Sequence, residues 1–447
     1  MSKPSVPKGT RDFLPGQSLK RKYIFDTIES VFLKYGFRPI ETPALENLST
    51  LTGKYGEEGD RLLFKVLNNG DFLKKADKQA LANEDSQALV PSIAKRGLRY
   101  DLTVPFARFV AMHQNDIAFP FKRYQIQPVW RADRPQKGRY QEFYQCDVDV
   151  VGSSSLMYEA ELIGIYDEVF ARLNLPVEIK INHRKVLSGI AEKAGVEERI
   201  VDMTVAVDKL DKIGWDKVKE ELSRREFNPE QIEEIHRLFQ MSWDELLSEL
   251  EHTPSGPMAI ADMGKLKSFM DRYQLSNKLT LDTTLARGLS YYTGVIFEVK
   301  ALDTDMGSIG GGGRYDDLTS IFGLRDVSGV GVSFGAERIY DVLEEKSLFP
   351  DALQTDVALM FCPMDDESLE ECFAWALALR QDGVHCDVYP EPAKMKKQLK
   401  HVDQRQLHYA AIMGSQEREQ KVVLLKNMRT GDQQELKLEQ LQAVLKG

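Results

Sequence analysis

The stretch FKRYQIQPVWRADRPQKGRYQEFYQCDVDVV, Phe121 to Val151, puts polar groups where a buried strand would carry hydrophobic ones. Side chains alternate between the two faces of a strand. Arg123, Gln125, Gln127 and Arg131 therefore share one face of the first arm, and Lys122, Tyr124, Ile126 and Trp130 share the other. In the second arm Gln141, Phe143, Gln145, Asp147 and Asp149 fall together, opposite Tyr140, Tyr144, Cys146, Val148 and Val150. The intervening RPQKG is hydrophilic, contains Pro and Gly, and suits a hairpin connection. A polar strand face is often only the wet side of an antiparallel sheet. This one mixes an aromatic, amides, guanidinium groups and carboxylates, the equipment for stacking, bidentate phosphate contact and ammonium binding. The hairpin reads as a ligand floor.

At 447 residues, 42% hydrophobic and 29% charged, the chain is long enough for two or three domains whose cores need no covalent staples. No apolar run approaches the roughly 20 residues that cross a bilayer. Met1 to Gly16 also lacks an apolar signal core, so a cytoplasmic protein without membrane attachment is expected. Cys146, Cys362, Cys372 and Cys386 are widely spaced without a CxxC pair, and the histidines are scattered. That argues against a disulfide framework and against a metal held by protein ligands. A net charge of −10 argues against indiscriminate nucleic-acid binding by a uniformly basic surface. Locally, Arg131 to Arg139 holds four cations against Asp133, and Lys394 to Arg405 holds five against Asp403. Two basic patches on an acidic body suit selection of an RNA by shape.

The pattern around the hairpin predicts a helix over Ser18 to Tyr35, stopped by Gly36, then a strand Phe37 to Ile40 that Pro43 confines to an edge or bulge. Lys74 to Lys95 lacks periodicity and reads as an exposed loop, and RYDLTV reads as a strand with Asp101 and Thr103 on one face. A helix over Leu156 to Leu173 and a buried strand over Val177 to Arg184 follow. From Ala194 to Leu275 the signals are helical, and strand patterns resume at LTLDTTLARGLSYYTGVIFEVK, which suggests a helical insertion in a split domain. After a helix ending at Glu345 and the linker KSLFPDALQT, strand and helix alternate as in a small α/β domain with a largely parallel sheet. Gly310 to Gly313 lacks the GKS or GKT of a Walker loop and does not open a helix. Its glycines leave room for substrate against bare backbone.

Several of these stretches together resemble the histidyl-tRNA synthetase family of class II aminoacyl-tRNA synthetases. The Phe121 to Val151 hairpin is similar to motif 2, KYGFRPIETPALE (Lys34 to Glu46) to motif 1, LARGLSYYTG (Leu285 to Gly294) to the histidine signature, and GVGVSFGAERI (Gly329 to Ile339) to motif 3. PKGTRDFLP (Pro7 to Pro15) resembles the family's opening segment. The resemblance implies an α+β fold: a class II antiparallel-sheet catalytic domain with a helical insertion, plus a C-terminal α/β anticodon-binding domain. The corresponding boundaries are 1–193 and 276–345 for the two parts of the catalytic domain, 194–275 for the insertion and 354–447 for the anticodon-binding domain. It also implies a homodimer through motif 1.

The implied activity is ATP-dependent ligation of L-histidine to tRNA(His) through a histidyl-adenylate, with Mg2+. Such chemistry needs no covalent nucleophile, only alignment of two anions and cancellation of charge on the phosphoryl oxygens. By resemblance Arg131 and Arg287 are catalytic, and Arg131, Glu142, Phe143 and Arg338 bind ATP, although periodicity turns Glu142 to the opposite strand face. Histidine binding falls to Asp101, Thr103, Arg131, Gln145, Asp149, Arg287, Tyr291 and Tyr292, and the tRNA acceptor end to Arg134, Gln136 and Lys137. Two departures stand out: Ser290 where many members carry Asp, and Asp101-Leu-Thr where many bacterial members have an acidic Pro-Glu-Gly-Thr version. The alternative is a non-catalytic regulatory relative. Such relatives tend to lose the arginine signature and the C-terminal domain, and this chain retains both.

Overall fold

The computed structural model describes residues 3–52, 62–286, 292–350, 353 and 357–446. The chain divides into two units, Met1–Asp12 with Arg21–Leu348 and Phe13–Lys20 with Phe349–Gly447. An eight-stranded sheet organises the first. In chain order its strands are β1 (Arg38–Pro39), β5 (Phe121–Trp130), β6 (Glu142–Val151), β7 (Val177–His183), β8 (Lys278–Leu281), β9 (Val295–Ala301), β10 (Gly310–Tyr315) and β11 (Gly329–Gly335). They lie in the order β1-β5-β6-β11-β10-β9-β7-β8. The interior pairings are antiparallel, and only the edge pairs β1 with β5 and β7 with β8 are parallel. A small sheet of β2 (Leu45–Asn47), β3 (Lys65–Val66) and β4 (Arg96–Leu98) precedes the hairpin.

The large sheet has two chemically different faces because its strands keep the alternation of their sequence. Cys146, Val148, Val150, Val330 and Phe334 form an apolar back. The helices Pro15–Lys34 and Met157–Arg172 cover it, placing Phe32 5.8 Å, Tyr166 4.7 Å and Phe170 5.6 Å from Phe334, ring centre to ring centre. The first of these helices buries the stripe Ile24, Ile28, Val31 and Phe32 and ends at Gly36, whose φ of +81° suits a left-handed stop. Charged side chains also reach the back, Lys122 meeting Glu161 of the second helix at 2.7 Å. Arg314 reaches Glu159 of the second helix through a two-pronged pair of 2.5 and 2.8 Å, with Glu159 fully buried.

Helices Arg184–Lys193, Ile200–Val207, Leu210–Arg224, Pro229–Gln240, Trp243–Leu250 and Gly256–Met270 pack round one apolar cluster that includes Leu187, Val218, Ile235 and Leu250. Capping boxes at Asn228 with Gln231 and Ser242 with Glu245 start two of them. In the second unit β12 (Leu359–Pro363), β13 (Cys386–Val388) and β14 (Tyr409–Met413) are parallel, while β15 (Val423–Asn427) and β16 (Gln433–Leu436) add antiparallel. Among the described residues no helix is long and apolar enough to cross a membrane.

Three local expectations are corrected. Lys74 to Lys95 contains helices Lys78–Ala82 and Ser86–Ile93, each started by an aspartate, Asp77 or Asp85, that accepts two backbone N–H groups. RYDLTV is not a strand: Thr103 opens the helix Thr103–Met112, whose Phe106, Ala107 and Val110 are buried, and Asp101 Oδ1 accepts from Val104 N at 3.3 Å. The C-terminal sheet is mixed rather than largely parallel, because the turn after Asn427 folds β15 and β16 into a hairpin.

Removing one partner of a buried ion pair leaves the other charge stranded. Glu159→Ala should therefore destabilise the first unit by about 3–5 kcal/mol. Urea unfolding of that unit measures this, and an unchanged midpoint contradicts it.

Candidate active site

The β5–β6 hairpin sets the floor of the site. Its register pairs Arg123 with Asp149, Gln125 with Asp147, Gln127 with Gln145 and Val129 with Phe143, so the polar residues of both arms share one face. β11 continues that face with Gly331 opposite Asp149 and Ser333 opposite Asp147. β10 adds Gly311 opposite Ser333 and Gly313 opposite Gly331, with Tyr315 next along the same face.

Arg123 is fully buried, with its Nη2 2.7 Å from Asp149 Oδ2 and its guanidinium 4.1 Å above the Phe106 ring. The contact with Asp149 is one of charge rather than of aligned hydrogen bonds, since among the described residues no guanidinium N–H of Arg123 finds a well-directed acceptor. Tyr315 donates its hydroxyl to the other Asp149 oxygen at 2.6 Å. A Cβ on Gly331 would stand 1.9 Å from that oxygen, so this glycine makes room for a protein carboxylate. Gly312 is constrained by neighbouring backbone, Gly331 O at 2.2 Å from its would-be Cβ. Among the described residues a Cβ on Gly311 would meet Phe297 O, at 3.3 Å, and Gly311 itself lines both of the recesses described below.

Asp147, equally buried, has weaker partners: Gln145 Nε2 at 3.3 Å and the Ser333 hydroxyl. Burial pushes its carboxyl up to about 7, with the Arg123 charge acting against that rise and Asp149 adding to it. Burial also raises Asp149, opposed by Arg123 and the Tyr315 hydroxyl. Gln145 gives its amide N–H also to Ser333 Oγ at 3.1 Å, and its buried Oε1 has no hydrogen-bond partner among the described residues.

Two adjoining recesses open on this floor and meet at Arg131, Gln145, Gly311 and Ser333. The smaller, about 160 Å3, is walled by Asp101, Thr103, Asp147, Asp149, Tyr292 and Tyr315. The larger, about 300 Å3, contains Phe143, Arg139 and Arg338. Arg131 is held by its Nε on Tyr100 O at 2.8 Å, with its guanidinium 5.1 Å from the Phe143 ring. Arg338 donates to Gly138 O at 2.7 Å and Ser308 O at 2.6 Å. Glu337, buried beside it, receives Arg21 at 2.7 Å and Tyr144 N at 2.9 Å, which ties the start of its helix to β6.

Asp101, Thr103, Arg131, Phe143, Gln145, Asp149, Tyr292 and Arg338 thus line one or other recess. Glu142 does not: it is exposed on the other face, accepting from Trp130 Nε1 at 2.7 Å. Arg134, Gln136 and Lys137 are exposed on the hairpin connection, Lys137 pairing with Glu345 at 3.1 Å. Arg287, Ser290 and Tyr291 lie outside the described residues. The resemblance assigns no role to Asp147, Arg123 or Tyr315, although alternation places the first two on the polar face.

This antiparallel sheet, with Arg131, Phe143 and Arg338 gathered above its polar side, defines a class II aminoacyl-tRNA synthetase catalytic domain. A family profile for histidyl-tRNA synthetase matches residues 72–339, and one for an anticodon binding domain matches 356–447. The histidine–tRNA ligase of Christiangramia forsetii is 52% identical, with 99% of each chain covered. That of Porphyromonas gingivalis is 54% identical, over 98% of this chain and 97% of its own. The crystal structure of histidyl-tRNA synthetase from Nostoc sp. PCC 7120 superposes with a TM-score of 0.81 at 29% identity, covering 99% of this chain and 98% of that one. The chain belongs to the histidyl-tRNA synthetase family.

A carboxyl held near 7, against about 3.9 in an unfolded chain, contributes fully to stability only below the unfolded value. That contribution is lost as pH rises through 7. Asp147→Asn keeps the shape and removes the titration, so its Tm should exceed the parent's at pH 8, and the gain should shrink toward pH 5. Calorimetry across that range tests this, and a difference that does not change with pH contradicts it.

Proposed function

We propose that this protein activates L-histidine with ATP to histidyl-adenylate and pyrophosphate, then passes the histidyl group to tRNA(His), releasing AMP. The observation that carries this reading is the position of Arg131, which borders both recesses. A guanidinium there meets the amino-acid carboxylate from one side and the α-phosphate from the other. It offsets their mutual repulsion and the charge that builds on the phosphoryl oxygens. Relatives about 50% identical over nearly their whole length bear the ligase name, so the regulatory alternative is not favoured.

In this reading Phe143 stacks beneath the adenine and Arg338 covers its other face or reaches the γ-phosphate. Asp101, Thr103, Gln145 and Asp149 form the polar floor for the amino acid, with Tyr292 and Tyr291 around the imidazole. Arg287 approaches the α-phosphate. Magnesium fits as part of the nucleotide substrate. Among the described residues no group of three side chains could hold a metal, and both oxygens of Glu337, the carboxylate beside Arg338, are already taken. Mg2+ is usually carried by substrate phosphates and water with few protein ligands, and there it shields the triphosphate charge. Glu142, which the resemblance assigns to ATP, is turned away from the recess. The exposed Arg134, Gln136 and Lys137 suit the phosphates of a tRNA acceptor end. A cytoplasmic homodimer completes the reading, and sedimentation of the purified protein measures its subunit number.

Pyrophosphate exchange assayed with each of the twenty amino acids tests the function: histidine alone should support it, and exchange driven by another amino acid overturns it. Arg287→Ala should lower histidine-dependent exchange roughly 10²- to 10³-fold, the scale for losing one preorganised donor, whereas unchanged exchange removes Arg287 from the site. Arg134→Ala and Lys137→Ala should leave exchange intact and depress tRNA charging. Equal loss in both assays argues against a tRNA role.

A further inference from the structure

Two walls of the larger recess come from different parts of the chain, the hairpin connection with Arg139 and Tyr140, and the helix Ala336–Glu345 with Arg338. The opening segment of the chain meets both. Gly9, at φ +83° in a turn that Thr10 N closes on Pro7 O at 3.2 Å, leaves no room for a Cβ, which would stand 2.7 Å from Gln141 Cγ and 3.0 Å from Pro135 Cγ. This close approach lets Gln141 N donate to Gly9 O at 2.8 Å, and Gln141 O in turn accepts from Arg131 N at 2.9 Å. Two residues on, the Arg11 guanidinium lies 3.6 Å from the centre of the Tyr140 ring. Its Nη1 donates to the Tyr140 hydroxyl at 2.8 Å and pairs with Asp341 Oδ1 at 3.3 Å, while the hydroxyl donates to Asp341 Oδ2 at 2.8 Å. Burial and the bond to Asp341 push that hydroxyl up to about 12, with the Arg11 charge acting against the rise, so it stays a donor at neutral pH. A second ion pair between the walls, Lys137 with Glu345, has side chains 76% and 48% exposed and contributes little. The side chains of Arg11 and Asp341 are 27% and 17% exposed and are backed by the tyrosine ring, which makes theirs the stronger tie.

We propose that Arg11 is a positioning residue for ATP: by clamping Tyr140 to Asp341 it fixes the hairpin connection at a set distance from the helix that bears Arg338. This rests on the reading of the larger recess as the nucleotide site and deepens it. Phe143 follows the connection and Arg338 sits one turn from Asp341, so a base held between that ring and that guanidinium depends on the separation of the two walls. The smaller recess keeps its own fixings, Arg123 and Tyr315 on Asp149. The clamp therefore bears on one substrate and not on the other.

The test is steady-state, histidine-dependent pyrophosphate exchange by the full-length protein, with ATP and histidine varied in turn. Arg11→Ala should raise KM for ATP roughly tenfold or more, the scale of a lost charge-assisted hydrogen bond, and leave KM for histidine within about threefold. Arg11→Lys, which keeps a charge within reach of Asp341 but loses the guanidinium fork, should fall between. Tyr140→Phe keeps the ring, removes the hydroxyl link and should raise KM for ATP by itself, which covers the case of an Arg11→Ala protein that does not fold. Combined with Arg11→Ala it should add little, because the two side chains act as one unit. An unchanged KM for ATP in Arg11→Ala, a parallel rise for both substrates, or full additivity in the double variant overturns the assignment and leaves the functional reading in place. Absence of histidine-dependent exchange in the unaltered protein would instead sink that reading and this assignment with it.

Discussion

Arg123 is a guanidinium with no exposure to water, and the site is arranged round the need to offset its charge. Asp149 lies opposite it in the hairpin register, Phe106 offers a ring face, and Tyr315 fixes the far carboxylate oxygen. Burying such a pair is not itself a source of stability, since desolvation takes back much of the attraction. What it secures is geometry: β5, β6 and β10 are tied at one point, and the position of Asp149 is defined to within a hydrogen bond. Gly331, on the strand between β6 and β10, makes this possible, because a side chain there would occupy the carboxylate's place.

The two faces of the sheet divide the work. The apolar back, under Phe32, Tyr166 and Phe170, holds the fold. The front is then free to carry polar groups in a fixed array at the mouth of the recesses. Preorganised groups on rigid strands need little rearrangement when charge develops during phosphoryl transfer. Glu337 links the two tasks. It begins the helix after β11, bonds the backbone of β6 and pairs with Arg21, so the neighbouring Arg338 is fixed relative to the hairpin.

The hairpin was legible in the sequence because a period of two leaves one way to sort its polar residues, and the register keeps that sorting. The difference in surroundings between Asp147 and Asp149 was not legible. It depends on which carboxylate meets Arg123 and Tyr315, and Tyr315 comes from a strand 166 residues further on. Thr103 and Val104 read as strand by local preference, yet the burial of Phe106, Ala107 and Val110 makes that stretch a helix. The helices between Lys78 and Ile93 are too short to show a period, and only their capping aspartates announce them. In the sequence the glycines Gly310 to Gly313 read alike, as room for substrate against bare backbone, and packing alone shows that Gly312 answers to a neighbouring strand and Gly311 to the recess.

The buried contact of Arg123 with Asp149 sets the floor of the smaller recess independently of the larger one. Gly331→Ala addresses it most directly, since the added methyl would sit 1.9 Å from the Asp149 oxygen and must displace that carboxylate. Steady-state pyrophosphate exchange of this variant should show KM for histidine raised by roughly tenfold or more, the scale of a lost charge-assisted contact, with KM for ATP nearly unchanged. An unaltered histidine KM in the folded variant would contradict the account.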